Sequence, residues 1–289
     1  MKFNLTILEP PDYKHAHFLF DSAKYIAYSL ESLGHSCSIK SNYADAGRIN
    51  ILFNAHKADR KTVELLTSGS IRYIVHQGEL LTPDGGVNHS GKEHFETCYL
   101  PLLRGALDVW DWNSQHVEIL SARGVQASIL EYGFHSNMEE IRPKTDRDID
   151  LLWYGSITPH RKAMLDRMIR QGMNVVSVFD PVSFYRNDLM ARSKIVLALK
   201  QDSGHAHVPA GRALYGANNR IFIAGELATT QHWMNSLWSS ASAEELPDLL
   251  QSLLASTTRN QIADERFEYL RKHPMTEYLA PLVEKLSSN

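Results

Sequence analysis

Cysteine and long apolar runs are scarce in this sequence, and each absence excludes a class of protein. Cys37 and Cys98 are the only cysteines in 289 residues, and no C-x-x-C motif is present. A disulfide scaffold or a structural zinc site is therefore not expected. No stretch approaches the roughly 18 apolar residues that span a bilayer, and the N-terminal residues lack the longer apolar core of a signal peptide. The sequence thus predicts a cytoplasmic, reduced protein with no transmembrane segment.

Basic charge and several familiar catalytic motifs are also missing. The formal net charge is −3, whereas general binding to nucleic acid or to an anionic membrane needs a basic excess. The sequence contains no complete Walker phosphate loop, no G-x-S-x-G motif and no G-x-G-x-x-G motif. The last absence argues against an NAD-dependent dehydrogenase.

The sequence does contain a regular alternation of short apolar strands and amphipathic helices. "RINILFNA" (48–55) is typical of a buried strand, and "HAHFLFDSAKYIAYSLESLG" (15–34) has the apolar spacing of a helix that ends at Gly34. Strands and helices joined by short turns indicate parallel sheets covered by helices on both faces. The predicted fold class is therefore α/β, with two Rossmann-like, doubly wound domains that face a cleft.

A polar segment, 135–150, interrupts this alternation with many charged residues and one proline, and is interpreted as a linker. It divides the chain into an N-terminal domain, 1–140, and a C-terminal domain, 150–270. The remaining residues, 271–289, are predicted to form a helix that can return to the N-terminal domain. Open parallel sheets bind ligands beyond the carboxyl ends of their strands, so the loops after the strands are the candidate sites.

One such loop in the C-terminal domain combines glycine with basic residues. In "WYGSITPHRK" (153–162), Gly155 permits close backbone approach, a helix start offers unpaired N–H groups, and Arg161 and Lys162 add positive charge. This combination is typical of a diphosphate-binding loop. A plain strand-to-helix connection with exposed basic residues is the alternative interpretation.

A second basic loop lies in "SKIVLALKQDSGHAHVPAGRALYGANNRIFIAGE" (193–226). An arginine on the first turn of its helix suits a phosphate, because the planar guanidinium binds two oxygens. A carboxylate at the end of its second strand suits sugar or ribose hydroxyls, although a solvated loop with an arginine–glutamate pair is the alternative. The candidate residues are Lys200, His205, His207, Arg212 and Glu226. The two histidines lack an identifiable third ligand, so no metal site is predicted.

Histidines also follow the strands of the N-terminal domain. His15, His17 and His56 are candidates for a general base, and His76 and Glu79 end a strand where an acceptor substrate would bind. For each of these histidines, a surface or capping role is the alternative interpretation.

Four stretches of the chain resemble bacterial group-1-like GT-B glycosyltransferases, which use nucleotide sugars. "IRYIVHQGE" (71–79) is similar to a strand end of those proteins, and "ALDVWDWNSQHVEILSARGVQASILEYGF" (106–134) to their A-D-x-VWDYS run. "DLLWYGSITPHRKAMLDRMIRQG" (150–172) resembles the D-x-LFYGS opening of their second domain, and 191–226 resembles their A-x-SKIVLN…VVSE segment. Together these stretches lie within residues 70–226, about half of the chain.

The resemblance implies two Rossmann-like domains, a donor such as a UDP- or GDP-sugar bound mainly by the second domain, and no required metal or other cofactor. The residues that match donor-site positions of the family are Gly155, Ser156, Arg161, Lys162, Arg212, Asn219 and Glu226. The chain departs from the family at Pro209, where a glutamate is usual, and at Ala198 and Lys200, where Asn and His are usual. These departures leave open which donor sugar and base the protein binds and whether it is catalytically active.

The implied reaction transfers a hexosyl or pentosyl group to a hydroxyl of a glycan, a lipid-linked sugar or a small molecule. Its oxocarbenium-like transition state builds negative charge on the leaving diphosphate, which arginine and lysine must neutralise if no metal does so. A retaining enzyme, which the resemblance favours, needs no dedicated base. An inverting enzyme needs a base from the N-terminal domain.

Three alternatives stay open from the sequence. A phage-type DNA glycosyltransferase acting on hydroxymethylated pyrimidine is less favoured than other acceptors because the net charge is negative. A degenerate GT-B subunit, which binds or assembles without catalysis, would fit the substitution at Pro209. A sugar-nucleotide epimerase or a phosphorylase would keep the fold but change the reaction.

Overall fold

The computed structural model describes residues 1–11, 17–82, 86–87, 91–204, 210–230 and 232–287. His15, His205, His207 and Pro209 lie outside the described residues, as does the side chain of His17. The chain separates into two compact units: unit 1 consists of Met1–Tyr132 and Met275–Asn289, and unit 2 of Gly133–Pro274. None of the helices within the described ranges is long and apolar enough to cross a membrane.

Unit 1 is built on a six-stranded parallel sheet. Its strands are β1 (Phe3–Ile7), β2 (Ile39–Ser41), β3 (Ile49–Phe53), β4 (Arg72–Gln77), β5 (Val109–Asp111) and β6 (Ala127–Ile129). They pair in the order β2-β1-β3-β4-β5-β6. The central strands β1 and β3 are buried along their whole length, because a parallel sheet is covered by helices on both faces.

Helices on both faces of this sheet provide the core of unit 1. They are α1 (His17–Ser32), α2 (Arg60–Leu66), α3 (Lys92–His94), α4 (Leu100–Arg104), α5 (Ser114–Ser121) and, from the C-terminal segment, α11 (Met275–Ser287). Asp59 begins α2 by accepting a hydrogen bond from Thr62 N, and Gly34 ends the turn after α1 with φ of +82°, a conformation that favours glycine. Apolar side chains of α1 and α11 share one core cluster with β1 and β3.

Unit 2 repeats this design with five strands. They are β7 (Ile149–Tyr154), β8 (Val175–Val178), β9 (Ser193–Ala198), β10 (Ile223–Glu226) and β11 (Ser239–Ala241), paired in the order β11-β10-β9-β7-β8. All pairs are parallel. The helices are α6 (Pro159–Arg170), α7 (Ser183–Arg192), α8 (Ala210–Asn218), α9 (Leu246–Ala255) and α10 (Arg259–Leu270). The predicted α/β class with two parallel sheets is thereby confirmed.

The polar segment 135–150 differs from the free linker that its charge predicted. Met138 and Ile141 are buried, and Asn219 Oδ1 accepts hydrogen bonds from Glu140 N at 2.7 Å and Ile141 N at 2.8 Å. Asn218 exchanges two further hydrogen bonds, both of 3.2 Å, with the backbone of His135. Two buried amides therefore hold this segment on unit 2, whose first residue is Gly133.

Candidate functional site

The carboxyl ends of β7, β9 and β10 bring the C-terminal candidates together. The chain leaves β7 through Gly155, whose φ of +132° suits glycine, and a Cβ there would lie 3.2 Å from Arg212 Nη2. Thr158 then caps α6, since its hydroxyl accepts from Arg161 N at 3.3 Å and donates to Gln201 O at 2.6 Å. The loop is thus fixed to the segment that follows β9.

Arg161 is buried, and its guanidinium bonds mostly to backbone carbonyls. Nε donates to Lys200 O at 2.9 Å, Nη2 to Leu199 O at 3.3 Å, and Nη1 to both the carbonyl and the hydroxyl of Ser156 at 3.2 and 2.9 Å. Burial and then the charge of Arg212 lower the pKa of Arg161 to about 10. Arg161 therefore joins the loop after β7 to the end of β9 and keeps its charge at neutral pH.

Arg212, on the first turn of α8, is the second cation of this site. It is half-buried; Nη2 donates to Tyr154 O at 2.5 Å and Nη1 to Leu197 O at 3.3 Å. Among the described residues, its buried Nε has no hydrogen-bond partner. Burial lowers the pKa of Arg212, yet a guanidinium stays protonated at neutral pH.

Both guanidinium groups lie within cation–π distance of the Trp153 ring. Arg161 Cζ is 4.7 Å and Arg212 Cζ 4.1 Å from the ring centroid of Trp153. The indole stabilises both cations through cation–π contacts. Two like charges held together in a partly dry site repel one another, and an anion that binds beside them relieves that repulsion.

Glu226 supplies the acidic side of the same site. Its carboxylate is buried, with Oε1 2.9 Å from His160 Nε2 and Oε2 accepting from Lys200 N at 2.7 Å. Because Lys200 O accepts from Arg161 Nε, the backbone of Lys200 links the Glu226 carboxylate to the Arg161 guanidinium. Glu226 was predicted at the end of a strand, whereas His160 was not among the candidate site residues. The position of His160 on the first turn of α6 was the signal by which the sequence could have indicated it.

Other predicted donor-site residues lie elsewhere. The Lys162 side chain is 67% exposed and pairs with Asp166 one turn later at 2.6 Å. Asn219 lies before β10, at the opposite end of that strand from Glu226, and its amide is engaged by the segment 140–141 and by Tyr215 O. Lys200 is buried, whereas His205 and His207 fall outside the described residues.

Three of the N-terminal candidates, His56, His76 and Glu79, lie at or just after the carboxyl ends of strands in the unit 1 sheet. His76 is buried, stacks on Phe53 with centroids 4.5 Å apart, and lies 2.7 Å from the Tyr132 hydroxyl through Nε2. Burial lowers its pKa to about 4, so His76 is neutral at pH 7 and no proton carrier there. His56 is buried beside Tyr99, with ring centroids 6.2 Å apart, and Glu79 is half-buried.

Metal ligands do not converge in the described part of the chain. No group of three or more His, Cys, Asp or Glu side chains has the geometry to hold a metal ion there.

Comparison with known proteins places this architecture among glycosyltransferases. No family model matches the sequence, and no curated protein matches it either. Solved structures do match, over nearly the whole chain. AviGT4, a glycosyltransferase involved in avilamycin A biosynthesis, superposes with a TM-score of 0.57 at 12% identity, covering 98% of this chain and 97% of its own.

Two further glycosyltransferase structures superpose on this chain with TM-scores slightly above that of AviGT4. A DNA-modifying β-glucosyltransferase, solved with and without uridine diphosphoglucose, gives a TM-score of 0.63 at 12% identity over 99% of this chain and 100% of its own. A T4 phage enzyme in complex with UDP and Mn²⁺ gives 0.60 at 11% identity over 99% of each chain. The chain has the GT-B glycosyltransferase fold. At these low sequence identities the structural similarity establishes the fold alone. The GT-B fold that the sequence resemblance predicted is therefore confirmed.

Proposed function

We propose that this protein is a glycosyltransferase that moves a sugar from a nucleotide sugar to a hydroxyl acceptor, with unit 2 binding the donor and unit 1 the acceptor. The observation that carries the proposal is the pair of arginines around Trp153, next to the buried Glu226, at the carboxyl ends of β7, β9 and β10. This is the edge at which open parallel sheets bind ligands.

The two arginines have different roles in this proposal. Transfer breaks the bond between the anomeric carbon and the diphosphate oxygen, and negative charge grows on the leaving group. Arg212, half-buried with Nε free of partners among the described residues, binds that diphosphate. The nitrogens of Arg161 already bond to backbone carbonyls. Arg161 therefore holds the loop, and its positive charge adds to the stabilisation of the leaving diphosphate.

Glu226 is assigned to hydroxyl groups of the donor. A carboxylate has about four lone-pair sites, and two of them accept from His160 and from Lys200 N. The remaining sites can accept from ribose or sugar hydroxyls. His160 is then a positioning residue, because its contact at 2.9 Å fixes the rotamer of the carboxylate.

We further propose that the reaction retains configuration and requires no metal. Retention needs no dedicated base; if the product shows inversion instead, His56, His15 and His17 are the candidate bases. A T4 phage neighbour binds UDP with Mn²⁺, so transfer is to be compared in EDTA and in Mn²⁺. Equal rates support metal independence, and the anomeric configuration of the product decides the stereochemistry.

A titration calorimetry experiment with UDP and GDP tests the donor site. Replacing Arg212 by Ala removes a charged hydrogen-bond donor, and we expect binding to weaken by about 10- to 100-fold. Arg212→Lys, which keeps the charge, should lose less. Arg271→Ala is the control, since Arg271 is an exposed arginine of unit 2 paired with Glu268. Equal affinities in the Arg212→Ala and Arg271→Ala proteins would reject the site.

DNA is the second candidate acceptor, because a DNA-modifying β-glucosyltransferase covers this chain almost completely. Incubation with UDP-glucose and either alkyl glycosides or a duplex containing hydroxymethylcytosine compares the two classes directly. Transfer to neither acceptor, together with normal nucleotide binding, would favour a binding subunit without catalysis.

A further inference from the structure

A buried carboxylate–imidazole pair lies at the carboxyl edge of the unit 1 sheet, outside the donor site. Asp111 ends β5 and His116 lies on the first turn of α5; both are almost completely buried. His116 Nδ1 is 3.0 Å from Asp111 Oδ2, and His116 Nε2 accepts a hydrogen bond from Leu81 N at 3.2 Å. Since Nε2 accepts, the proton lies on Nδ1 and is donated to the carboxylate.

The local fold aims this pair at the loop after β4. Asp111 is opposite Gln77 in the sheet register. Asn113 N donates to Asp111 Oδ1 at 2.8 Å, and Asn113 caps α5 by accepting from Gln115 N. The turn between β5 and α5 is therefore fixed, and His116 comes back over the end of the neighbouring strand β4.

A second anchor holds the same loop two residues earlier. The Tyr99 hydroxyl donates to Gln77 Oε1 at 2.5 Å, and Gln77 Nε2 donates to Glu79 O at 2.6 Å. Burial, then the charges of Asp111 and Glu79, raise the pKa of Tyr99, so its hydroxyl stays protonated and donates to Gln77. Residues 78–81 are thus tied at Glu79 O and at Leu81 N.

We propose that the Asp111–His116 pair is a positioning device that holds the loop 78–81, and with it Glu79, in place to bind the hydroxyl of the acceptor. The inference rests on the proposed function of unit 1 as the acceptor side. His116 holds Leu81 N only as the neutral ring with its proton on Nδ1, and the Asp111 carboxylate selects that form. Neither residue contacts substrate in this scheme.

Asp111→Asn tests the pair without changing its size. An amide can donate to Nδ1, which moves the ring proton to Nε2 and removes the acceptor of Leu81 N. His116→Leu removes the acceptor directly, and His116→Gln restores one through its amide oxygen. Asp108→Asn is the matched control: Asp108 precedes β5, is equally buried, and bonds to Lys285 and Ser128 at the opposite end of the strand.

Two readouts separate positioning from general destabilisation. Hydrogen exchange of the Leu81 amide should speed up in Asp111→Asn and His116→Leu, but not in Asp108→Asn. Transfer from UDP-glucose to the acceptor that the wild type glucosylates should show a KM for that acceptor raised about tenfold or more, since small misplacements of a binding group have such effects. Hydrolysis of UDP-glucose without acceptor should stay within about twofold, because the donor site is untouched.

His116→Gln should recover most of the acceptor KM and of the Leu81 protection. The inference is overturned if Leu81 exchanges at the wild-type rate in Asp111→Asn, or if transfer and acceptor-free hydrolysis fall equally. Absence of nucleotide binding in the wild type would refute the proposed function instead, and the exchange of Leu81 would still decide whether the pair holds the loop.

Discussion

At the residue scale, burial sets the charge of His76. The imidazole stacks on Phe53 and contacts the Tyr132 hydroxyl in a dry environment, where the neutral ring is favoured over the cation. Its pKa is about 4 in the folded chain, against about 6.5 in an unfolded one. His76 therefore belongs to the packing of unit 1 as a neutral ring.

This depressed pKa predicts loss of stability on acidification. Above pH 6.5 both states carry neutral His76; as the pH falls from about 6.5 to about 4, only the unfolded chain binds the proton, so the free energy of unfolding drops by about 3 kcal/mol. His76→Gln should lose that part of the pH dependence. Urea titrations at pH 7 and pH 4.5 on both proteins measure it, and parallel pH dependences would contradict the assignment.

Single residues show where prediction from sequence stops. A glycine, three basic residues and a terminal acid could be predicted as site candidates at 155–162 and 212–226, because the ends of buried strands are recognisable from apolar runs. The sequence does not show that Arg161 bonds to three carbonyls or that Arg161 and Arg212 both lie against the ring of Trp153. Those contacts depend on the carbonyl directions at the ends of β7 and β9, two strands that are distant in sequence.

At the scale of elements, the close approach of β9 and β10 shapes the proposed donor site. Gly225 lies opposite Ala198, and a Cβ on it would be 1.9 Å from Ala198 O. Only glycine allows the two backbones to come so close. This close approach brings the carboxylate of the next residue, Glu226, near the end of β9, where its Oε2 lies 2.7 Å from Lys200 N.

Gly225→Ala should therefore disturb both stability and binding. Two backbones must separate, which we expect to cost about 1–3 kcal/mol in unfolding free energy and to weaken UDP binding by moving Glu226. Gly211→Ala is the control: no described atom lies within 4 Å of a Cβ there, and alanine favours the helix by roughly 0.5–1 kcal/mol. Thermal melts and UDP titrations of the two variants compare them; a harmless Gly225→Ala would contradict the close contact.

At the scale of the whole molecule, strand–helix alternation predicted two parallel α/β sheets, and the fold comparison bears this out. The segment 135–150 differs from the linker that was predicted from its many charged residues. The number of charges does not reveal that Met138 and Ile141 are buried, or that Asn218 and Asn219 hold the segment by hydrogen bonds. Local composition identifies exposed side chains, whereas membership of a unit depends on a few apolar and amide contacts over long sequence separations.

The C-terminal helix α11 packs into the core of unit 1. Met275, Leu279, Leu282, Val283 and Leu286 of α11 are buried in the core that α1 and the sheet share. Burial of such side chains stabilises by about 1.5–3 kcal/mol each, so the helix contributes on the order of the 5–15 kcal/mol by which whole domains are stable. A chain ending at residue 274 should therefore fail to fold unit 1, although all six of its strands are present.

A graded series separates this effect from general damage at the C-terminus. Leu279→Ala should lower the free energy of unfolding by about 2–5 kcal/mol, and Glu277→Ala, an exposed position on the same helix, by no more than about 0.5 kcal/mol. In the truncated chain, limited proteolysis should digest 1–132 and spare a fragment close to 133–274, because unit 2 is continuous in sequence and has its own core. Equal protease resistance of both units after truncation would show that α11 only covers unit 1 and does not complete its core.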